Sequence, residues 1–304
     1  MTAVMPPALA PGARIGVVAP AGPIDPGQLR EGLAYLRRRG YQVVEGKGLR
    51  ARHGYLAGTD AQRAADLNRA IADPSLNAVI FARGGYGSGR IIEKLDFSPL
   101  RGRPKIFLGY SDITAFYAAL RRATGIPGFY GPMVLNFNAP GREFRERSLW
   151  SVLERSKGWE RFSFARAGVF RPGMGEGTLV GGCLSLLASL VGTPYDLDTR
   201  GAILFWEEVD EEPYRIDRML NHLRMAGKLE GLQGMIVGKL HRCNTKRGMP
   251  SLPLRTILSD HLRGSTFPVV IDFPAGHAPL KVTLPLGLPA RIDTGRRELR
   301  ILAK

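Results

Sequence analysis

Ile106-Phe107-Leu108-Gly109-Tyr110-Ser111-Asp112-Ile113 reads as a short buried strand that turns directly into a helix, Ile113–Arg121. The same grammar appears just upstream. Ala78–Ala82 is a continuous apolar run that opens into Arg83-Gly84-Gly85-Tyr86-Gly87. Further out, Arg14–Ala19 predicts a strand closed by the turn Pro20-Ala21-Gly22-Pro23. Gln28–Arg39 follows with Leu29, Leu33 and Leu36 at helical spacing and Gly40 as its stop. Tyr41–Val44 predicts another strand, and Thr59–Ala72 a helix with Ala64, Leu67 and Ile71 on one face. Strands separated by helices of this length imply βαβ units and a mostly parallel sheet, hence an α/β fold. Ligands of such sheets sit beyond the carboxyl ends of the strands, where Arg83–Gly87 and Ser111 both fall.

The pattern weakens between about Pro140 and Gly177, where Gly, Pro and charges crowd together. That gives an expected division into residues 1–140, a linker over 141–176, and a second domain over 177–304. In the second domain Gly181–Val191 predicts a helix entered through two glycines, and Ala202–Trp206 a buried strand. Arg215–Arg224 predicts a helix with Ile216, Leu220 and Leu223 aligned and Pro213 near its first turn. Met235–Leu240 and Val269–Asp272 predict strands, and Lys281–Ala303 short half-buried ones.

Composition narrows the function classes. With 304 residues, 44% hydrophobic and 23% charged, the chain has material for a large core. No stretch approaches the ~20 apolar residues of a membrane helix. Pro6, Pro7 and Pro11 interrupt the start, which argues against a secretory signal and for the cytoplasm. Cys183 and Cys243 are the only cysteines, too few for a disulfide framework. The net charge of +16 comes from 43 Lys plus Arg against 27 Asp plus Glu. These charges are dispersed in short groups such as Arg37-Arg38-Arg39 and Arg296-Arg297, without interleaved aromatics. Nucleic acid is therefore not an expected partner, and neither is a membrane.

Four places carry possible chemistry. Ser111 stands at a strand-to-helix turn, where a hydroxyl is lifted to the sheet edge beside unpaired helix N–H groups. Ile113 replaces the last Gly of G-x-S-x-G, and a plain N-cap at Ser111 or Asp112 is the alternative. Arg83–Arg90 holds four glycines and fits neither a dinucleotide fingerprint nor a P-loop. It is either a backbone cradle for an anion or oxyanion, or a tight turn. Glu207 follows Ala202–Trp206 and heads an acidic group with Glu208, Asp210, Glu211 and Glu212. The last two suit the start of the helix near Pro213, which leaves Glu207 without that explanation. His277 lies in the constrained loop Pro274-Ala275-Gly276-His277-Ala278-Pro279, as a general base or an idle surface histidine. The five histidines show no metal-binding spacing, and Cys183 reads as a small buried residue.

Taken together, these blocks resemble a known family. Leu56-Ala57-Gly58-Thr59-Asp60, Ala65-Asp66-Leu67-Asn68, Arg83–Gly87, Gly109–Thr114 and Tyr130-Gly131-Pro132-Met133 resemble the amino-terminal half of LD-carboxypeptidases. Gly192-Thr193-Pro194, Glu207 with Pro213–Leu220, and Gly276-His277 with Leu284-Pro285-Leu286-Gly287 resemble the other half. One departure is Cys183, where the family more often has Asn. The resemblance implies a flavodoxin-like (class I glutamine amidotransferase-like) domain followed by a smaller, β-rich, swivelling β/α domain. It implies a serine peptidase in which Ser111 is nucleophile, His277 base and Glu207 its orienting acid. Oxyanion donors would be backbone N–H groups of Asp112 and of Gly84 or Gly85, and Arg83, Tyr86 and Arg90 would face the substrate. It further implies release of D-alanine from a cytoplasmic murein tetrapeptide, a homodimer, and no metal or organic cofactor. Two rivals stand beside this reading: an immunity peptidase of the microcin C type acting on an acylated nucleotide-peptide, and a non-enzymatic phosphate- or nucleotide-binding module built on the Gly85 loop.

Overall fold

A computed structural model describes residues 3–137, 142–245, 249–279 and 281–302. The chain divides into two compact units, Met1–Trp159 with Pro279–Gly287, and Glu160–Ala278 with Leu288–Lys304.

The first unit contains β1 (Arg14–Val18), α1 (Pro26–Arg38), β2 (Gln42–Glu45), α2 (Asp60–Ala72), β3 (Ala78–Phe81), β4 (Ile106–Gly109), α3 (Ile113–Thr124), β5 (Gly128–Tyr130) and α4 (Arg142–Glu154). Local chemistry starts the helices. The Asp25 carboxylate accepts from the N–H groups of Gly27 and Gln28 at the head of α1. Thr59 and Gln62 form a reciprocal capping box on α2. Strands β2-β1-β3-β4-β5 lie side by side and parallel, the flavodoxin order. The α/β expectation is thus met. β3 and β4 are buried throughout, because helices cover both faces of such a sheet. Phe116 of α3 meets Phe81 edge-on, with ring centroids 5.1 Å apart. Each side chain buried to this degree contributes about 2 kcal/mol.

The second unit contains β6 (Arg161–Ser163), β7 (Gly168–Arg171), β8 (Met174–Cys183), α5 (Leu184–Leu190), β9 (Ala202–Val209), α6 (Pro213–Met225), β10 (Gly234–His241), α7 (Leu254–His261) and β11 (Val269–Ile271). The chain then returns to the first unit as β12 (Leu284–Leu286), antiparallel to β5, before β13 (Pro289–Asp293) and β14 (Glu298–Ile301) complete the second. Its sheet runs β6-β14-β13-β8-β9-β10-β11-β7. The central β8–β11 are parallel and the outer strands antiparallel. Leu204 and Trp206 of β9 pack in one buried cluster with Leu187 of α5, Ile216, Leu220 and Leu223 of α6, and Leu258 of α7.

Three sequence expectations differ from this arrangement. Residues 141–176, expected as a linker, contain α4, β6 and β7; the boundary at 140–141 itself lies outside the described residues. β6 and β7 are the outermost strands of their sheet, so they need no continuous apolar run. Gly181 and Gly182 lie inside β8, opposite Phe205 and Trp206, and the helix begins only at Leu184. Finally, the expected second domain is interrupted by Pro279–Gly287, which belongs to the first unit. Among the described residues, no helix is long and apolar enough to cross a membrane.

Candidate active site

Ser111 occupies the hinge between β4 and α3 with a φ of +66°, a left-handed conformation that non-glycine residues adopt rarely and that clusters at functional turns. The surroundings hold it there. Its N–H donates to the Tyr130 hydroxyl at 3.1 Å, and its carbonyl accepts from the Thr114 N–H and hydroxyl at 2.9 and 2.7 Å. The Ser111 N–H is thereby committed to Tyr130. An oxyanion must draw its donors from elsewhere.

The Gly-rich loop comes up against this turn. A Cβ on Gly84 would lie 3.0 Å from Ser111 Cβ and 3.2 Å from its Oγ, so a side chain there would crowd the hydroxyl and push the loop back by a few tenths of an ångström. The Gly84 carbonyl accepts from the Gly22 N–H at 3.0 Å. In a trans peptide the Gly85 N–H points the opposite way, away from Gly22. Two features absent from the sequence reading shape the loop. The buried Asp112 carboxylate accepts from the N–H groups of Gly87 and Ser88 at 3.3 and 2.7 Å, and the Ser88 hydroxyl donates to the Asp112 carbonyl at 2.6 Å. Burial pushes the Asp112 pKa up, opposed by those N–H donors. The buried Arg63 guanidinium donates to the carbonyls of Pro20, Gly58 and Gly87 and pairs with Asp60. An arginine inside a helix such as α2 carries no sequence signal of such a task.

In the second unit, Glu207 ends the apolar part of β9 and is fully buried. Its Oε2 accepts from the ring Nδ1 of His277 at 2.7 Å and from the His277 backbone N–H at 3.0 Å. With its proton on Nδ1, the imidazole presents Nε2 as its basic nitrogen. The ring keeps 14% of its surface exposed, so it is fixed without being sealed. Gly276 makes the contact feasible: its φ is +106°, and a Cβ there would overlap the Glu207 carboxylate. Gly276→Ala is therefore expected to cut turnover at least about 100-fold by displacing the acid–imidazole pair. Gly192→Ala, with positive φ but open space around it, should only lower stability, by about 1 kcal/mol. Steady-state rates and thermal unfolding of both variants check this.

Glu208, read from sequence as one member of an acidic group, is also buried. It accepts from the Ser185 N–H at 2.7 Å and from the Cys183 thiol at 3.3 Å, tying β9 to the start of α5. Burial raises its pKa. Burial, together with the charges of Glu207 and Glu208, raises that of Cys183 well above the usual thiol value, so the thiol stays protonated.

The remaining candidates are exposed. Arg90 pairs with both oxygens of Asp60 at 2.9–3.1 Å, a carboxylate it shares with Arg63. Arg83 donates to the Pro23 carbonyl at 3.0 Å, and Tyr86 leans on Tyr55 with centroids 5.8 Å apart. The structure therefore gathers Ser111, Asp112, Gly84 and Gly85 in one unit, and Glu207 with His277 in the other.

Comparison with known proteins bears on this arrangement. Residues 15–131 match the profile of the LD-carboxypeptidase N-terminal domain, and residues 176–292 that of the LD-carboxypeptidase C-terminal domain. The chain is 42% identical over 297 residues to a probable murein peptide carboxypeptidase of Bacillus subtilis, covering 96% of this chain and 92% of that protein. A crystal structure of muramoyltetrapeptide carboxypeptidase from Oxalobacter formigenes is similar at a TM-score of 0.81 and 30% identity, over 95% of this chain and 98% of that one. The microcin C7 self-immunity protein MccF of Escherichia coli is more distant, 27% identical over 93% of this chain and 90% of its own length. On its sequence blocks, its fold and these relatives, the chain belongs to the LD-carboxypeptidase family.

Proposed function

We propose that this protein is a serine-type carboxypeptidase that releases the terminal D-alanine from a murein-derived tetrapeptide in the cytoplasm, acting as a homodimer. The observation that carries the reading is the buried Glu207 carboxylate holding the Nδ1 of His277, which leaves Nε2 to act as a base. In the proposed mechanism His277 Nε2 takes the proton of the Ser111 hydroxyl, and Ser111 Oγ attacks the carbonyl preceding the D-amino acid. The developing oxyanion is met by the N–H groups of Asp112 and of Gly85 or Gly84. The imidazolium returns its proton to the departing amine, D-alanine leaves, and water activated by the same imidazole releases the tripeptide. No step calls for a metal or organic cofactor. The positive φ of Ser111 supports the nucleophile assignment over a plain N-cap. Of the substrate-facing candidates, Arg83 is the stronger for a substrate carboxylate, because the Arg90 guanidinium is already held by Asp60.

The phosphate-module alternative is disfavoured by the Asp112 carboxylate, which takes the N–H groups of Gly87 and Ser88 that an anion would need. The immunity-peptidase alternative is disfavoured by identity, 27% to MccF against 42% to the murein peptide carboxypeptidase relative. Mass spectrometry of murein tetrapeptide and of an acylated sulfamoyl adenosine, each incubated with the purified protein, decides between them. Loss of one alanine from the tetrapeptide is expected. Cleavage of the nucleotide compound alone would reverse the order of the two readings.

A further inference from the structure

His277 is followed by Ala278, the last residue of the second unit before the chain returns to the first as Pro279–Gly287. The anchoring of that returning segment is unusually specific. Arg145 of α4 is buried, 3% exposed, and spans two carbonyls: Nη1 donates to Pro279 and Nη2 to Asn136, both at 2.9 Å. Further along, the Thr283 N–H donates to Ser148 Oγ at 3.0 Å, and Leu284 pairs with Tyr130 in the β12–β5 ladder. Tyr130 is the residue whose hydroxyl accepts the Ser111 N–H. The segment that begins two residues after His277 thus ends on the strand that holds the backbone of Ser111. Two residues of extended chain span at most about 7 Å, so the position of Pro279 limits where His277 can stand. A planar guanidinium suits this task, since its fork reaches two carbonyls at fixed angles where an ammonium reaches as a point. Burial pushes the Arg145 pKa down, so holding the cation there has a cost that packing by itself does not explain.

We propose that Arg145 is a positioning residue for the hydrolysis: by clamping the Pro279 carbonyl it tethers the base, His277, to the unit that carries Ser111. This rests on the Ser111–His277 reading above. The experiment uses the full-length chain with Arg145→Met, Arg145→Lys, and Arg147→Met, an exposed neighbour on the same helix, as control. Turnover of murein tetrapeptide and the rate at which a fluorophosphonate modifies Ser111 are both measured per folded molecule. Arg145→Met is expected to lower kcat about 100-fold and the labelling rate by a similar factor, with KM within about threefold of wild type. Arg145→Lys should recover part of the loss, as should guanidinium ion added to Arg145→Met at sub-denaturing concentration. Arg147→Met should match wild type. Wild-type rates per folded molecule in Arg145→Met would overturn the inference, as would activity that falls only in proportion to the folded fraction. Turnover that survives in Ser111→Ala or His277→Ala would instead remove the triad, and this inference with it; a silent Arg145 beside dead Ser111→Ala and His277→Ala removes the inference alone.

Discussion

Ser111→Ala is expected to lower turnover of murein tetrapeptide by about 10⁴-fold or more, with folding and substrate affinity retained. The size follows from what the side chain would do. In the proposed mechanism the hydroxyl oxygen would form the acyl-enzyme, and alanine offers nothing to replace it. Donors to the oxyanion would remain and sustain only a residual rate. The substitution is also mild for the fold, because the Ser111 backbone bonds to Tyr130 and Thr114 involve N–H and carbonyl groups that alanine keeps. The left-handed backbone at φ +66° is no worse for alanine than for serine, since both carry the Cβ that causes the strain. Alanine release followed by mass spectrometry, with thermal unfolding as the check on folding, reads both parts. Turnover close to wild type would end the nucleophile assignment.

Glu207→Gln is expected to lower kcat by about 10³- to 10⁴-fold. Oε2 of Glu207 accepts from the ring and the backbone of the same histidine, and the residue has no exposed surface. Glutamine fills the same volume but carries donors on one side of its amide. With its carbonyl in the place of Oε2 it still accepts from both groups of His277, but without the negative charge that would stabilise an imidazolium during attack. With the NH₂ there it faces two donors, loses both bonds and favours the tautomer with the proton on Nε2. Because packing is kept, thermal stability should change far less than the rate. KM should stay within about threefold, which separates loss of a transition-state interaction from loss of binding. A Glu207→Gln enzyme within tenfold of wild type would mean that the carboxylate is only a structural anchor for the loop.

How legible the molecule is differs between its two units. In the first, the strands and helices from β1 to α3 can be read from the chain, because buried parallel strands are continuous apolar runs and helices carry periodic leucines and caps, whereas α4 lies in the stretch expected as a linker. Ala78–Phe81 and Ile106–Gly109 appear where their composition says. β5 is three residues long and is recognisable only as part of the Tyr130–Met133 block. In the second unit the edge strands β6 and β7 are half exposed and rich in charge, so alternation is lost. In Met174–Cys183 four glycines hide a ten-residue strand, since glycine in a strand is favoured only by the neighbouring backbone it packs against.

The site shows the same division. Ser111, Glu207 and His277 stand out by local context, at a strand-to-helix turn, a strand end and a constrained loop. Asp112 as a loop anchor, Arg63 as a clamp on carbonyls, Glu208 as a tie to α5 and Arg145 on Pro279 leave no local trace. Each acts through a bond to backbone distant in the chain, and backbone groups are the same at every residue.

Sequence by itself determined the α/β class, because apolar periodicity and turn chemistry are local properties; the flavodoxin-like first half and the three residues proposed for the triad came from the resemblance of its motif blocks to the family. Only the tertiary structure decided that Pro279–Gly287 returns to the first unit, that Glu207 reaches His277, and that Ser111 adopts a left-handed backbone. Those outcomes depend on strand register and on contacts between residues far apart in the chain, such as Leu284 with Tyr130, 154 positions away. The free energy of such contacts exists only once the sheet has formed.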